Sequence, residues 1–237
     1  MKLGKVLALA LLLVFGVGTP AYATTFGPTT YSTFAADSPF ASVPFSYFFL
    51  EDFDDHALNT LGVNVSPSVM TSANTGFNGS IIDQVGLPGG CAAGGLSVAC
   101  DTLFGVGVLG FNFTFSAAAL GSLPTHAGVV WTDGEGPTSF TAFATDGTTV
   151  VCSVGPVAIA DGSFNGTTAD DRFFGCSNPG GISRIFITNT SGGIEVDHLQ
   201  YGREGDTVPG VPEPASLFLV VSGLVALAAA RRCQGRG

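Results

Sequence analysis

From residue 44 onward the apolar positions recur every second residue in short runs, and the runs end at Gly, Pro, Asn, Asp or Ser. That is the period of a β-strand, whose successive side chains point to opposite faces. Residues 44–53 form the first run. Residues 107–115 form another and put Phe111, Phe113 and Phe115 on one face. Residues 127–132, 139–145, 148–154, 172–176, 183–189 and 193–201 complete the series. Asp146-Gly147 lies between two runs and is a two-residue hairpin signal; Gly192-Gly193 offers the same for the last pair. Many short strands without a helical period predict an all-β domain, an antiparallel β-sandwich of jelly-roll-like form. Residues 54–106 alternate least and read as loop-heavy, rich in Gly, Ser and Asn. Residues 202–210 read as a linker, because charge, Gly and Pro replace alternation.

The two ends depart from this pattern. Lys2 and Lys5 precede a continuous apolar run over 6–17, then Gly18, Thr19 and Pro20, then Ala21-Tyr22-Ala23. Those are the three parts of a secretory signal, and Ala21 and Ala23 fit the A-x-A pattern that a signal peptidase cleaves. Residues 1–23 are thus expected to be a signal peptide, with its helix removed after Ala23, and 24–201 the ectodomain. At the other end, Val211-Pro212-Glu213-Pro214 leads into an apolar run over 215–230, followed by Arg231 and Arg232. As a helix that run rises about 24 Å, slightly short of a hydrocarbon core of roughly 30 Å. Snorkelling arginines make up the difference. They also set the orientation of a transmembrane helix, with the basic tail cytoplasmic and the ectodomain outside.

A VPEP motif, a short apolar helix and a terminal Arg cluster resemble the PEP-CTERM sorting signal of Gram-negative bacteria. The resemblance implies that residues 211–237 are read by an exosortase, an integral-membrane processing enzyme. It implies an inner-membrane precursor that becomes a cell-surface or extracellular-matrix protein, in a host that makes exopolysaccharide. Segments of the ectodomain also resemble sandwich-like PEP-CTERM proteins. They are Leu50-Glu51-Asp52-Phe53, Gly128-Val129-Val130-Trp131-Thr132-Asp133, Asp161-Gly162-Ser163-Phe164 with Arg172-Phe173-Phe174-Gly175, and Gly193-Ile194-Glu195-Val196-Asp197-His198-Leu199. This second resemblance implies fold and address, and no activity.

Charge narrows the partners. Of eight basic residues only Arg172, Arg184 and Arg203 lie between the two ends, in a chain with 18 acidic residues. So acidic a surface has no footprint for nucleic acid or anionic headgroups. Cys91, Cys100, Cys152 and Cys176 fall outside the membrane, where disulfides persist, and Cys233 falls inside. Four cysteines allow three pairings. Cys91–Cys100, closing a Gly- and Ala-rich loop, and Cys152–Cys176, joining neighbouring strands, are the expected ones. Zinc is disfavoured because no C-x-x-C spacing exists.

Gly105-Val106-Gly107-Val108-Leu109-Gly110 matches G-x-G-x-x-G, but an alternating strand follows where a dinucleotide fold needs a helix. A glycine-rich turn is expected. His56, His126 and His198 are scattered, and neither H-E-x-x-H nor G-x-S-x-G occurs. Asn-x-Ser/Thr stands at Asn64, Asn78, Asn112, Asn165 and Asn189 and reads as turn or strand in a bacterial chain. Glu51 and Asp52 end the first run; Glu195 and Asp197 share a face of the last. In many jelly-roll carbohydrate-binding modules the first and last strands pair and their acids hold calcium, an ion that takes six to eight oxygens. The resemblance implies Glu51, Asp52 and Asp197 as calcium ligands; the alternative is that they face water. The 161–171 loop is a further oxygen source, or Asp170-Asp171-Arg172 a local ion pair.

The expected function is that of an exported, exosortase-processed, non-enzymatic surface or matrix protein, with polysaccharide as its candidate ligand. The alternatives are a secreted polysaccharide hydrolase, which needs a close carboxylate pair, and a purely structural coat protein.

Overall fold

A computed structural model describes residues 22–55, 57–67, 70–71, 80, 82, 101–163 and 169–205. The expected signal segment up to residue 21, Cys91, Cys100, His56, and the expected C-terminal motif and helix lie outside them. Among the described residues no helix is long and apolar enough to cross a membrane.

The chain is mostly antiparallel β-structure. The strands are β1 (Thr24–Thr30), β2 (Phe45–Glu51), β3 (Val63–Ser66), β4 (Met70–Thr71), β5 (Thr102–Val106), β6 (Phe111–Phe115), β7 (His126–Phe143), β8 (Val150–Val157), β9 (Arg172–Ser177) and β10 (Arg184–Glu204). Two single-turn helices intervene, α1 (Phe34–Asp37) and α2 (Ala117–Leu120). Each is capped by a hydroxyl, Thr33 Oγ1 accepting from Ala36 N and Ser116 Oγ from Ala119 N. The hydrogen-bonded order is β1-β9-β7-β10-β5-β4, with β2 and β6 also on β10, β8 on β7 and β3 on β6.

Alternation located most of these strands but not their lengths. Residues 127–132 and 139–145 are parts of one strand, β7. Residues 183–189 and 193–201 are likewise parts of β10. The glycines at 192 and 193 therefore do not make the expected turn. They sit in an irregular stretch where the β7–β10 register shifts between Asn189 and Ile194, and Gly192 takes φ +62°. Glycine supplies the positive φ that such a bulge demands. A turn here would fold the two halves of β10 on each other. Instead both halves find ladders on β7, and β6 and β5 flank them in succession. A hairpin forms at Asp146-Gly147 as expected, but its loop is longer than two residues: Phe143 is opposite Val150, and Ala144 N donates to the Thr149 carbonyl at 2.8 Å. Asp146 Oδ1 accepts from the N–H groups of Thr148 and Thr149 at 2.9 and 2.8 Å, and the turn joins β7 to β8.

The glycine-rich 105–110 segment is a β-turn between β5 and β6. Leu109 N and Gly110 N donate to the Val106 carbonyl, both at 3.0 Å. A strand follows it, so the helix that a dinucleotide site requires is replaced by Phe111, Phe113 and Phe115 pointing into the core.

Two apolar clusters result. The main core gathers Phe111, Phe113, Trp131, Phe140, Phe174, Ile185, Ile187, Val196 and Tyr201, and it gives the fold its sandwich-like character. A smaller cluster on the other face of the central strands holds Tyr31, Phe40, Ile82, Val130 and Phe173. Cys152 on β8 and Cys176 on β9 form the expected disulfide, with Cα atoms 5.9 Å apart. These strands are not hydrogen-bonded to one another; each pairs with a different stretch of β7. The disulfide is their covalent link.

Candidate functional site

Val196 points into the main core, so its neighbours Glu195 and Asp197 point to the other face. A shift in register after Asp197, with His198 at φ +44°, reverses the alternation: Leu199 and Tyr201 enter the main core while His198 and Gln200 join Asp197 on the opposite face. The result is a row of polar side chains, Glu195, Asp197, His198 and Gln200, all buried. The segment after β1 covers one end of the row. Tyr31 Oη lies 3.1 Å from His198 Nδ1 and accepts from Gln200 Nε2 at 2.9 Å, and Ser38 Oγ donates to Gln200. That end is satisfied, as buried polar groups must be.

The other end is rich in carboxylates, with hydroxyls from Thr132, Thr102 and Ser80 bonded to Glu195 and Asp197. Glu195 Oε1 accepts from Thr132 Oγ1 at 2.9 Å; burial pushes its carboxyl up to about 8 against the pull of that bond. Asp197 Oδ1 accepts from His198 N at 2.6 Å, and burial raises this carboxyl well above the usual range. Asp54 and Asp52 raise it further. Asp171, one residue before β9, is 1% exposed, and among the described residues neither of its carboxylate oxygens has a hydrogen-bond partner. Burial, then the fields of Asp170, Asp197 and Glu195, push it up to about 9. The expected ion pair with Arg172 does not engage that carboxylate, because Arg172 Nη1 donates to the carbonyl oxygens of Ala169 and Asp171. At the rim, Asp54 and Asp133 are half-buried and raised to about 7, chiefly by burial.

The expected calcium ligands fare differently. β2 does pair with β10, and Asp197 lies in the field of Asp52. Glu51, however, is opposite Leu199 and so faces the main core. Its Oε1 accepts from Phe53 N, and its Oε2 from Asn59 N and Thr60 N, between 3.0 and 3.1 Å. Glu51 ties down the loop after β2 and does not meet Asp197. Among the described residues no group of three His, Cys, Asp or Glu side chains could hold a metal ion.

Other expected residues have structural surroundings. His126 Nδ1 lies 3.0 Å from Thr125 Oγ1, and its ring packs edge-on against Phe40 and Phe45. Trp131 is fully buried and donates from Nε1 to Asn189 Oδ1 at 3.1 Å. It is a core residue and offers no face to a sugar. Asn189 is itself buried, which closes it to modification. The large exposed apolar side chains among the described residues are aliphatic except for Tyr22. Asp171 belongs to the 161–171 segment expected as a further oxygen source; Tyr31, Ser38 and Gln200 carry no such expectation. The available signal for Asp171 was the pair Asp170-Asp171 directly before a strand.

These raised carboxyls have a consequence for stability. Unfolded, Glu195 and Asp171 titrate near their ordinary 4.5 and 3.8; folded, they hold protons to about 8 and 9. Over the interval between, the folded chain binds protons that the unfolded chain releases, so stability falls as pH rises. Their contribution is full below the unfolded values and lost above the folded ones. His126, lowered by burial, acts oppositely but below pH 7. In EDTA the urea midpoint is therefore expected to drop between pH 7 and pH 9. A midpoint that holds or rises over that range contradicts the reading.

No family model and no curated protein matches this chain. Among solved structures it is similar to the C-terminal family 22 carbohydrate-binding module of Clostridium thermocellum Xyn10B, studied for the role of conserved amino acids in its cleft in ligand binding. The match has 10% identity and a TM-score of 0.32 and covers 70% of this chain and 99% of that one. So loose a superposition supports no inference about a shared ligand.

Proposed function

We propose that the chain is an exported, non-enzymatic protein of the cell surface or extracellular matrix. An exosortase-like enzyme separates it from residues 211–237, and polysaccharide is its partner. The observation that carries export is the Cys152–Cys176 disulfide, a bond that persists in oxidising compartments. The polysaccharide partner rests on the resemblance of the terminal signal to those of exopolysaccharide-making hosts. The same reading takes the sandwich to be of jelly-roll type.

One observation favours the hydrolase alternative: Asp54 and Asp133, half-buried and near 7, lie in the range of a general acid. The more strongly raised carboxyls, Asp171, Glu195 and Asp197, are at most 5% exposed, and a polymer does not reach them. Incubating residues 24–208 with an exopolysaccharide and glycan array, with and without calcium, separates the readings. Retention without new reducing ends is the expected result. New reducing ends that disappear in Asp54→Asn or Asp133→Asn make the chain a hydrolase. Neither retention nor cleavage leaves a structural coat protein.

A further inference from the structure

We propose that Ser38 and Gln200 are the site of a self-made ester cross-link, which ties the segment after α1 to the last strand. They meet at the end of the buried row that Tyr31 covers. Ser38 Oγ donates to Gln200 Oε1 at 2.5 Å, and Phe40 N donates to Ser38 Oγ at 3.1 Å. Gln200 Nε2 donates to Tyr31 Oη at 2.9 Å, and His198 Nδ1 lies 3.1 Å from the same oxygen. A hydroxyl thus stands on the oxygen of one amide and a phenol on its nitrogen. Along β10, period two from Val196 would turn His198 and Gln200 into the main core. The register shift after Asp197 and the left-handed φ of +44° at His198 turn them instead towards Tyr31 and Ser38. Such a φ in a residue other than glycine is strained and persists where the surroundings impose it.

The reaction needs no partner from outside. Ser38 Oγ closes on Gln200 Cδ, which lies one C=O bond, about 1.2 Å, beyond Oε1. The hydroxyl proton passes to Oε1. The Cδ–Nε2 bond then breaks as Nε2 takes the proton of Tyr31 Oη, and Tyr31 recovers a proton from Oε1. One Oγ–Cδ bond has formed, one Cδ–Nε2 bond has broken, and the equivalent of the Ser38 proton has left with the nitrogen as ammonia. No group is oxidised or reduced. Tyr31 touches the departing nitrogen and is the general acid. Holding nucleophile and amide on one frame removes the entropy of bringing them together. Tyr31 and Gln200 are 0% exposed, His198 3% and Ser38 9%. Burial keeps water from the ester, and loss of ammonia makes the step one-way. The two residues are 162 apart in sequence, so the bond closes most of the chain between β1 and the end of β10 into one covalent loop. The sorting and polysaccharide readings do not depend on it.

The test is the mass of the purified full-length chain with its disulfides reduced. It is expected to be lighter, by one ammonia, than the sequence between its own ends. Digestion after arginine should then leave residues 185–203, which hold Gln200, joined to the segment that ends at Arg172 and holds Ser38. Hydroxylamine, which cleaves esters and spares amides, should separate the two. Ser38→Ala and Gln200→Leu should each abolish the joined peptide, and Ser38→Thr, which keeps a hydroxyl, should retain it. In Tyr31→Phe the joined peptide should accumulate about a hundredfold more slowly. A wild-type chain of full mass whose 185–203 peptide runs free overturns the proposal, whatever the variants do. So does a mass lighter by one ammonia without the joined peptide, which puts the loss at another amide. A joined peptide that persists in Ser38→Ala, or that resists hydroxylamine, also overturns it, because another pair or another bond is then responsible.

Discussion

Trp131→Ala is expected to lower the unfolding free energy by about 4 kcal/mol, from the general cost of emptying a large aromatic site. Trp131 is fully buried in the main core, on a strand paired on both sides. Its Nε1 also anchors Asn189, whose side chain in turn accepts from Thr138 Oγ1 at 2.9 Å and donates to the Gly193 carbonyl at 2.9 Å. The indole thus packs the core and braces the irregular stretch of β10. Trp131→Phe keeps most of the volume and loses that hydrogen bond, so its cost should be clearly smaller. Urea unfolding followed by circular dichroism measures both, since the chain's one tryptophan is lost as a fluorophore. A variant that keeps wild-type stability and loses polysaccharide binding would instead make Trp131 a contact residue.

Removing the Cys152–Cys176 bond, as Cys152→Ala with Cys176→Ala, is expected to cost about 3 kcal/mol, the loop-closure estimate for a bridge of this span. The linked residues are 24 apart in sequence. Their loop includes the 161–163 turn and the acidic approach to β9, and β8 has β7 as its ladder partner. Without the bond, β8 keeps that one ladder and the packing of Val151, Val154 and Val157 against the core. The same denaturant experiment, with the wild type reduced as a reference, gives the number. A loss well under 1 kcal/mol would mean that the unfolded chain gains little freedom from the cut.

The strands were legible where one face is buried and the other is not. Phe111, Phe113 and Phe115 alternate cleanly because β6 packs its phenylalanines on the main core. The lengths of β7 and β10 were not legible, because a bulge and a turn draw on the same glycines. Only the partner strand decides whether Gly192-Gly193 reverses the chain or bends it. β1 was missed: its Thr-rich sequence has little apolar contrast, none of its residues is fully buried, and pairing with β9 holds it in the sheet. β5 fell in a stretch where alternation is weakest.

The candidate site was half legible. Period-two spacing put Glu195 and Asp197 on one face, and the pairing of β2 with β10 was expected from a sandwich. The sequence does not say that both faces of β10 are buried, which turns surface acids into desolvated ones. Nor does it show that Glu51 faces the core, since a parity argument needs the register with Leu199. The 161–171 loop was visible as acidic, but its position beside the acids of β10 needs the register of β9 on β7.

If the chain is exported and cut free of both end segments, intact-mass measurement on protein from its native host will show it. The expected mature form begins at Thr24 and lacks residues 215–237, and Pro212→Ala with Glu213→Ala should hold the precursor in the membrane. A mature form that still carries 215–237 contradicts that processing and leaves an ordinary membrane anchor in its place.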